Sequence, residues 1–360
     1  MKRRDFVAGL GGGVVMASTF GRAAAASTTT RSQDRPIILD ANGEIRLTHT
    51  MDLIREVIAS GTNSETVTIT DPKTFGEAAM DVAVDDLIAY DRHISTHSDL
   101  LAKATSVADI HRARAQGKLA LFYQLQNTTP IHKDLDRVNM FYNLGLRSLQ
   151  LTYNYQNYVG AGCRERNDAG LTVFGIELIE RMNEIGMLVD TSHANMKTMR
   201  EAIEASRVPT IVSHTACQGV HEHVRNTTDE NIRLLADSGG VVGICQIRPF
   251  ITEHNTPDNV RYYFDHIAHA VNIAGVDHVC IGSDRDHRTI EDSDEELAVL
   301  LEEEGAQFNP SDWPLYMPAL NGPRRMEVVW DGVVGLGYSE DDVEKIMGLN
   351  LLRLYTDVIG

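Results

Sequence analysis

The sequence predicts a (β/α)₈ barrel of the TIM type, on three observations. Short apolar runs alternate with segments of helical periodicity roughly eight times. Each apolar run leads into polar residues, as barrel strands do when they deliver side chains to one face. No GxGxxG follows the first strand, which counts against an open sheet built to bind a dinucleotide. A chain of 360 residues suffices for one such domain, and 42% hydrophobic with 23% charged residues is ordinary globular composition.

Taken in order, residues 1–26 read as a twin-arginine export signal. Arg3-Arg4 is followed by Phe6, a weakly apolar Gly/Ala/Val stretch and small residues at Ala24 to Ala26. That stretch is too short and Gly-rich for a membrane span. The mature chain is expected to begin near Ser27, carry no membrane span, and work in the periplasm or otherwise outside the cytoplasm. Residues 27–35 form a polar linker, and 36–360 one barrel domain with a C-terminal helical tail.

Within that domain PIILD reads as a buried strand ending at Asp40. Helical patterning covers residues 50–60 and 76–96, with TVTIT between them as a strand. Ser106 to Gln116 reads as a helix, and KLALFYQLQN as a strand ending in Gln126-Asn127. A helix around 134–143 precedes the strand LRSLQLTYNYQN, and GLTVFGIELIERMNEIG has helical spacing with a Gly stop. MLVDTSH, a helix from Met196 to Ala205 and PTIVSH then form strand, helix, strand. A helix near Thr228, the strand GGVVGICQI, a helix around 258–274 and the strand DHVCIGSDRDH complete the alternation. In the tail, NGPRR reads as a loop, and NLLRLYTDVI as a helix on the barrel exterior.

The net charge of -18 argues against nucleic-acid and anionic-membrane binding, since no basic patch is visible to meet phosphates. Cys163, Cys217, Cys245 and Cys280 form no CxxC, which argues against a zinc ribbon or redox motif. Cys245 and Cys280 lie in apolar runs and read as core residues.

The chemistry concentrates between Asp190 and Asn226. Ser192-His193 and Ser213-His214 each close an apolar run, and His221, His223 and Arg225 follow. Imidazoles at neighbouring strand ends can share one metal ion. The bland alternative is a pair of hydrogen-bonded histidines in unrelated loops. The other strand ends offer Asp40, Asn42 and Glu44, then Gln126, Tyr153, and Asp284 with Asp286 and His287. A hydrolytic metal barrel needs such ligands, an activated water, and a carboxylate to move its proton. His193 and His214 are the first choice as ligands, Asp284 as general base. Arg225 suits a substrate carboxylate, which a guanidinium grips bidentately.

DTSH, IVSHTACQGVHEHVRNTTDENIRLLADSGGVVGI, GSDRDH and GLNLLRLY resemble the membrane (renal) dipeptidase family, metallopeptidase family M19. LGLRSLQLTYNYQN and GLTVFGIELIERMNEIGMLVD match it as well, so the resemblance covers nearly the whole mature chain. It implies a barrel of the metallo-dependent hydrolase kind that typically carries two zinc ions, cleaves dipeptides and is often a homodimer. By position, His193 and His214 match ligands of the second metal, Arg225 the substrate-carboxylate binder, and Asp284 the acidic residue of the last strand.

The chain departs from that pattern in one region. Asn42 and Glu44 stand where the family has a His-x-Asp pair, Gln126 where a glutamate bridges the metals, and Tyr153 where a histidine contacts substrate. Asparagine lacks the nitrogen donor, and glutamine lacks the charge that holds two dications together. The expectation is therefore zinc as a single ion at His193 and His214, with Glu44 or Gln126 as a third ligand, or no metal at all. Tyr153 and Asn42 would face the substrate, a small peptide or amide bearing a carboxylate. The alternative is a periplasmic binding or maturation protein, or an enzyme with a repurposed pocket.

Overall fold

The computed structural model describes residues 36–305 and 308–360, so the expected export signal and linker lie outside the described residues. The strands are β1 (Ile38–Gly43), β2 (Thr62–Thr68), β3 (Leu101–Ala104), β4 (Leu119–Leu125) and β5 (Leu146–Gln150). They continue with β6 (Leu188–Asp190), β7 (Ile211–Thr215), β8 (Val241–Ile244) and β9 (Val279–Ile281). All pair in parallel, in the order β1-β2-β4-β5-β6-β7-β8-β9, with β3 beside β4. The ring is drawn nearly shut beyond the strand ends, where Asp284 N–H donates to Asn42 O at 2.7 Å and Glu44 bridges Asp286. The predicted (β/α)₈ barrel is the observed fold.

Helix boundaries follow local chemistry. Met196–Ala205 is the helix read from the sequence, and Asn195 caps it by accepting from Thr198 N–H. Thr172 and Gly186 bracket Val173–Ile185, the glycine in the left-handed conformation that ends a helix without a Cβ clash. Thr228 caps Asp229–Asp237, and Asp109 accepts from the N–H groups of Thr105 and Ser106 ahead of Val107–Ala115.

Two buried clusters lie between strands and helices, one on each side of the barrel. A third joins Leu39, Phe122, Leu188, Ile211, Val241 and Cys280 to Leu351, Leu354, Tyr355 and Val358. A set that touches so many strands can only lie inside the ring. The helix Asn350–Val358 therefore stoppers the barrel at the N-terminal ends of its strands, rather than lying on the exterior as the sequence suggested. Its apolar residues fall at i, i+3, i+4 and i+7, a stripe that fits either surface. Phe122 and Tyr355 meet at a ring distance of 4.9 Å, and the Tyr355 hydroxyl pairs with Thr66.

Four other expectations shift. β1 runs on to Gly43, so Asn42 lies within the strand, and the strand DHVCIGSDRDH stops at Ile281. β2 begins at Thr62, four residues before TVTIT, and carries the buried Glu65. The sequence NGPRR ends in a helix, Arg325–Gly335.

Candidate active site

A cavity of about 670 Å³ opens at the C-terminal ends of the strands, lined by Glu44, Gln126, Tyr153, His193, Arg225 and Asp284 among others. That is the face on which barrels of this kind build sites. His193 and Asp284 both hold left-handed backbone, with φ of 60° and 55°, a conformation that costs energy for residues with a Cβ. Both follow strand ends, after β6 and β9.

The two Ser-His pairs form a reciprocal clasp. Ser192 Oγ accepts from His214 N–H at 3.0 Å and meets Ser213 Oγ at 3.1 Å. The buried Asp190 accepts from Ser192 N–H at 2.9 Å, Ser213 N–H at 3.1 Å and the Ser213 hydroxyl at 2.5 Å. Since Ser213 spends its proton on Asp190, its oxygen accepts from His214 Nδ1–H at 2.8 Å. His193 Nδ1–H likewise donates to Asn154 Oδ1 at 2.8 Å. Each ring is thus fixed as the tautomer whose Nε2 carries a lone pair. Burial, with Arg225 adding to it, pushes both imidazoles down, His214 to about 3, so both are neutral.

Backbone crowding holds β7 in place. A Cβ on Gly243 or Gly282 would collide with the carbonyl of Ser213, so neither position admits a side chain without moving the His214 strand.

The histidine pair is placed to share a metal ion. His214 Nε2 is buried without a hydrogen-bond partner, and the two rings stand 5.0 Å apart. Two imidazoles bound tetrahedrally at ~2.1 Å from one ion put their centroids about 5 Å apart. Amides stand where the family resemblance places ligands of a second ion. Gln124 and Gln126 both donate to Asn42 Oδ1, and Asn42 Nδ2 donates to Asp284 Oδ1 at 2.9 Å. Glu44 is clamped by Arg46, whose Nε donates to it at 2.9 Å. Among the described residues no three His, Cys, Asp or Glu side chains form a group that could hold a metal. Glu44 is thus not brought to the histidine pair as a third ligand.

The remaining predicted residues sort cleanly. Tyr153 stacks on His193 at 4.2 Å, and His223 lies on the cavity wall against Phe250. Arg225 is 4% exposed; among the described residues its Nη2 reaches only His214 O at 3.3 Å, and its Nε has no hydrogen-bond partner. Burial raises the Asp284 carboxyl, against the opposing pull of Arg225 and Arg285. Asp286 serves structure: burial works against its charge, but hydrogen bonds from His49 and Arg288 hold it ionised. Asp40 and His287 belong to a separate buried cluster with Glu65 and Arg325, where His287 Nε2 meets Glu65 Oε1 at 2.7 Å.

Sequence reasoning missed Asp190, Asn154, Gln124 and Arg285. Asp190 had a signal, a carboxylate closing the run before Ser192. The others are polar residues in strands or loops, with no spacing that marks them.

The chain belongs to the membrane dipeptidase family, peptidase family M19, whose sequence profile matches residues 24–298. It is similar to an uncharacterized dipeptidase of Schizosaccharomyces pombe, 34% identical over 48% of this chain and 43% of that one. It is also similar to the dipeptidase verJ of Clonostachys rogersoniana, 29% identical over 74% of this chain and 62% of that one. The matched part thus spans about half of these curated relatives. Among solved structures, an amidohydrolase from Pseudomonas aeruginosa superposes with a TM-score of 0.78 at 30% identity, covering 90% of this chain and 97% of that one. The probable dipeptidase PvdM from the same organism shares the fold at 0.74 and 19% identity, covering 92% and 97%.

Proposed function

We propose that the chain is an exported hydrolase of dipeptides or similar small amides bearing a carboxylate, working with at most one metal ion at His193 and His214. The observation that carries this reading is the imidazole pair, each with Nδ1 committed and Nε2 open, beside the buried Arg225. Family membership and dipeptidase relatives support it. When bound, such an ion supplies a water acidic enough to ionise near neutrality. Arg225 holds the substrate carboxylate through its unsatisfied N–H groups. Asn42 fixes one oxygen of Asp284, and the other, raised in proton affinity by burial, takes a proton and returns it to the leaving amine. Tyr153 keeps the His193 ring in plane.

The amide cluster of Asn42, Gln124 and Gln126 favours a second reading, a pocket turned to binding or to different chemistry. Elemental analysis of the exported protein, beside a dipeptide panel with wild type and His214→Ala, separates the two. The hydrolase reading expects up to one ion per chain and turnover that His214→Ala abolishes. Protein without stoichiometric metal, inert even after metal addition, would sink it in favour of the second.

A further inference from the structure

We infer that the substrate carries a second carboxylate, held by Arg285, so that the pocket selects amides with two carboxylates, such as dipeptides containing Asp or Glu. This rests on the hydrolase reading for the amide, while the recognition itself is a matter of binding.

Arg285 follows Asp284 directly and is 5% exposed on the cavity wall. Among the described residues its guanidinium makes no hydrogen bond and no ion pair, and its Nη2 is buried without a partner. Only the Tyr316 ring touches its face, 5.9 Å from the centroid, and a ring offers no acceptor in the guanidinium plane. Arginine presents five N–H donors, so this is a large unmet demand in a buried place.

The neighbouring carboxylates do not meet it, because each is engaged elsewhere. Glu44 is paired with Arg46 at 2.8 Å. Asp286 is taken by His49 at 3.0 Å and Arg288 at 3.0 Å. Asp284 accepts from Asn42. Burial first, and then the nearby Arg325, push the Arg285 guanidinium down to about 10, against the opposing pull of Glu44, Asp286 and Asp284. Arg325 itself spends its Nη1 and Nη2 groups on the carbonyls of Arg285 and Asp286 and on Ser283.

Arg225 presents the same deficit across the site, and both guanidinium groups act on the Asp284 carboxylate between them. Two buried guanidinium groups with unfilled N–H donors, both acting on one proton-transfer group, match a ligand with two carboxylates. The net charge of -18 sharpens this, since an acidic protein disfavours anionic ligands unless local cations are kept free for them.

The test compares isosteric pairs, Ala-Glu with Ala-Gln and Glu-Ala with Gln-Ala, in both configurations at the C-terminal residue. Binding is measured by calorimetry on the purified protein, and hydrolysis separately on the same samples. In at least one pair the Glu peptide binds about tenfold or more tightly than its Gln partner. Arg285→Gln removes that difference, Arg285→Lys keeps part of it, and melting temperatures confirm that both variants fold. Equal affinities within every pair overturn the inference, as does a preference that survives in Arg285→Gln. Discrimination in binding without cleavage of any peptide leaves this inference standing and sinks the hydrolase reading. Cleavage without discrimination does the reverse.

Discussion

His266 offers a sharp test of the electrostatics that hold the site loop. It lies fully buried on the helix Val260–Ala274, and its two ring nitrogens have opposite duties. Nδ1 accepts from the backbone N–H of Cys217 at 2.9 Å, while Nε2–H donates to Ile251 O at 3.0 Å. A second proton would destroy the acceptor that ties down the segment between β7 and Arg225. Burial accordingly lowers this imidazole to about 4, whereas an unfolded histidine titrates near 6.5. Between those values the unfolded chain binds the extra proton and the folded chain refuses it. The stabilisation is therefore complete above about pH 6.5 and is lost as pH falls toward 4. At ~1.4 kcal/mol per pH unit, the loss from pH 7 to pH 5 is about 2 kcal/mol. His266→Gln keeps an acceptor and a donor but cannot titrate. Urea unfolding at both pH values should show wild type losing about 2 kcal/mol more than the variant, with other titrating groups cancelling in the difference. Equal losses would refute the reasoning.

Three further outcomes follow from the packing. Gly282→Ala, whose Cβ meets the Ser213 carbonyl, should cost about 1–3 kcal/mol in urea unfolding and displace His214, lowering peptide turnover by about tenfold or more. Phe122→Ala empties the space against Tyr355 and should cost about 3–5 kcal/mol by the same unfolding assay. Arg325→Met strips the cation from Asp40, Glu65 and His287 and should destabilise by about 3–5 kcal/mol. That penalty should be smaller at pH 5 than at pH 8, because burial raises Glu65 to about 7 and protonation removes its uncompensated charge.

The barrel was legible because its signals are local. Apolar runs, Thr and Asn caps and the Gly186 stop each act within a few residues, and Met196–Ala205 emerged with its boundaries intact. β3 and the start of β2 were not, since LAKA is too short for a pattern and TNSE is polar though buried. At the site, the histidines and Arg225 were visible as residue types at strand ends. What the two serines do was not, because their clasp joins β6 to β7 across 23 positions through Asp190. Glu44 looked like a ligand from its place after β1, but a neighbour two residues on, Arg46, claims its carboxylate. Arg285 gave no signal at all, since an unpaired buried cation is defined by what fails to surround it.

The helix that stoppers the barrel has a consequence for how the molecule comes together. Tyr355 meets Thr66 across 289 positions, so the floor beneath Phe122 and Leu188 is laid by residues that follow every strand. Until that helix arrives, the tube is open at its lower end and water reaches the layer beneath the site. Contacts so distant in sequence close slowly, because the loop entropy is lost before the contact is gained. Clipping the chain within residues 350–358 would therefore unseat a floor rather than trim an appendage, and a half-finished barrel would expose its inner wall to proteases and to other half-finished copies.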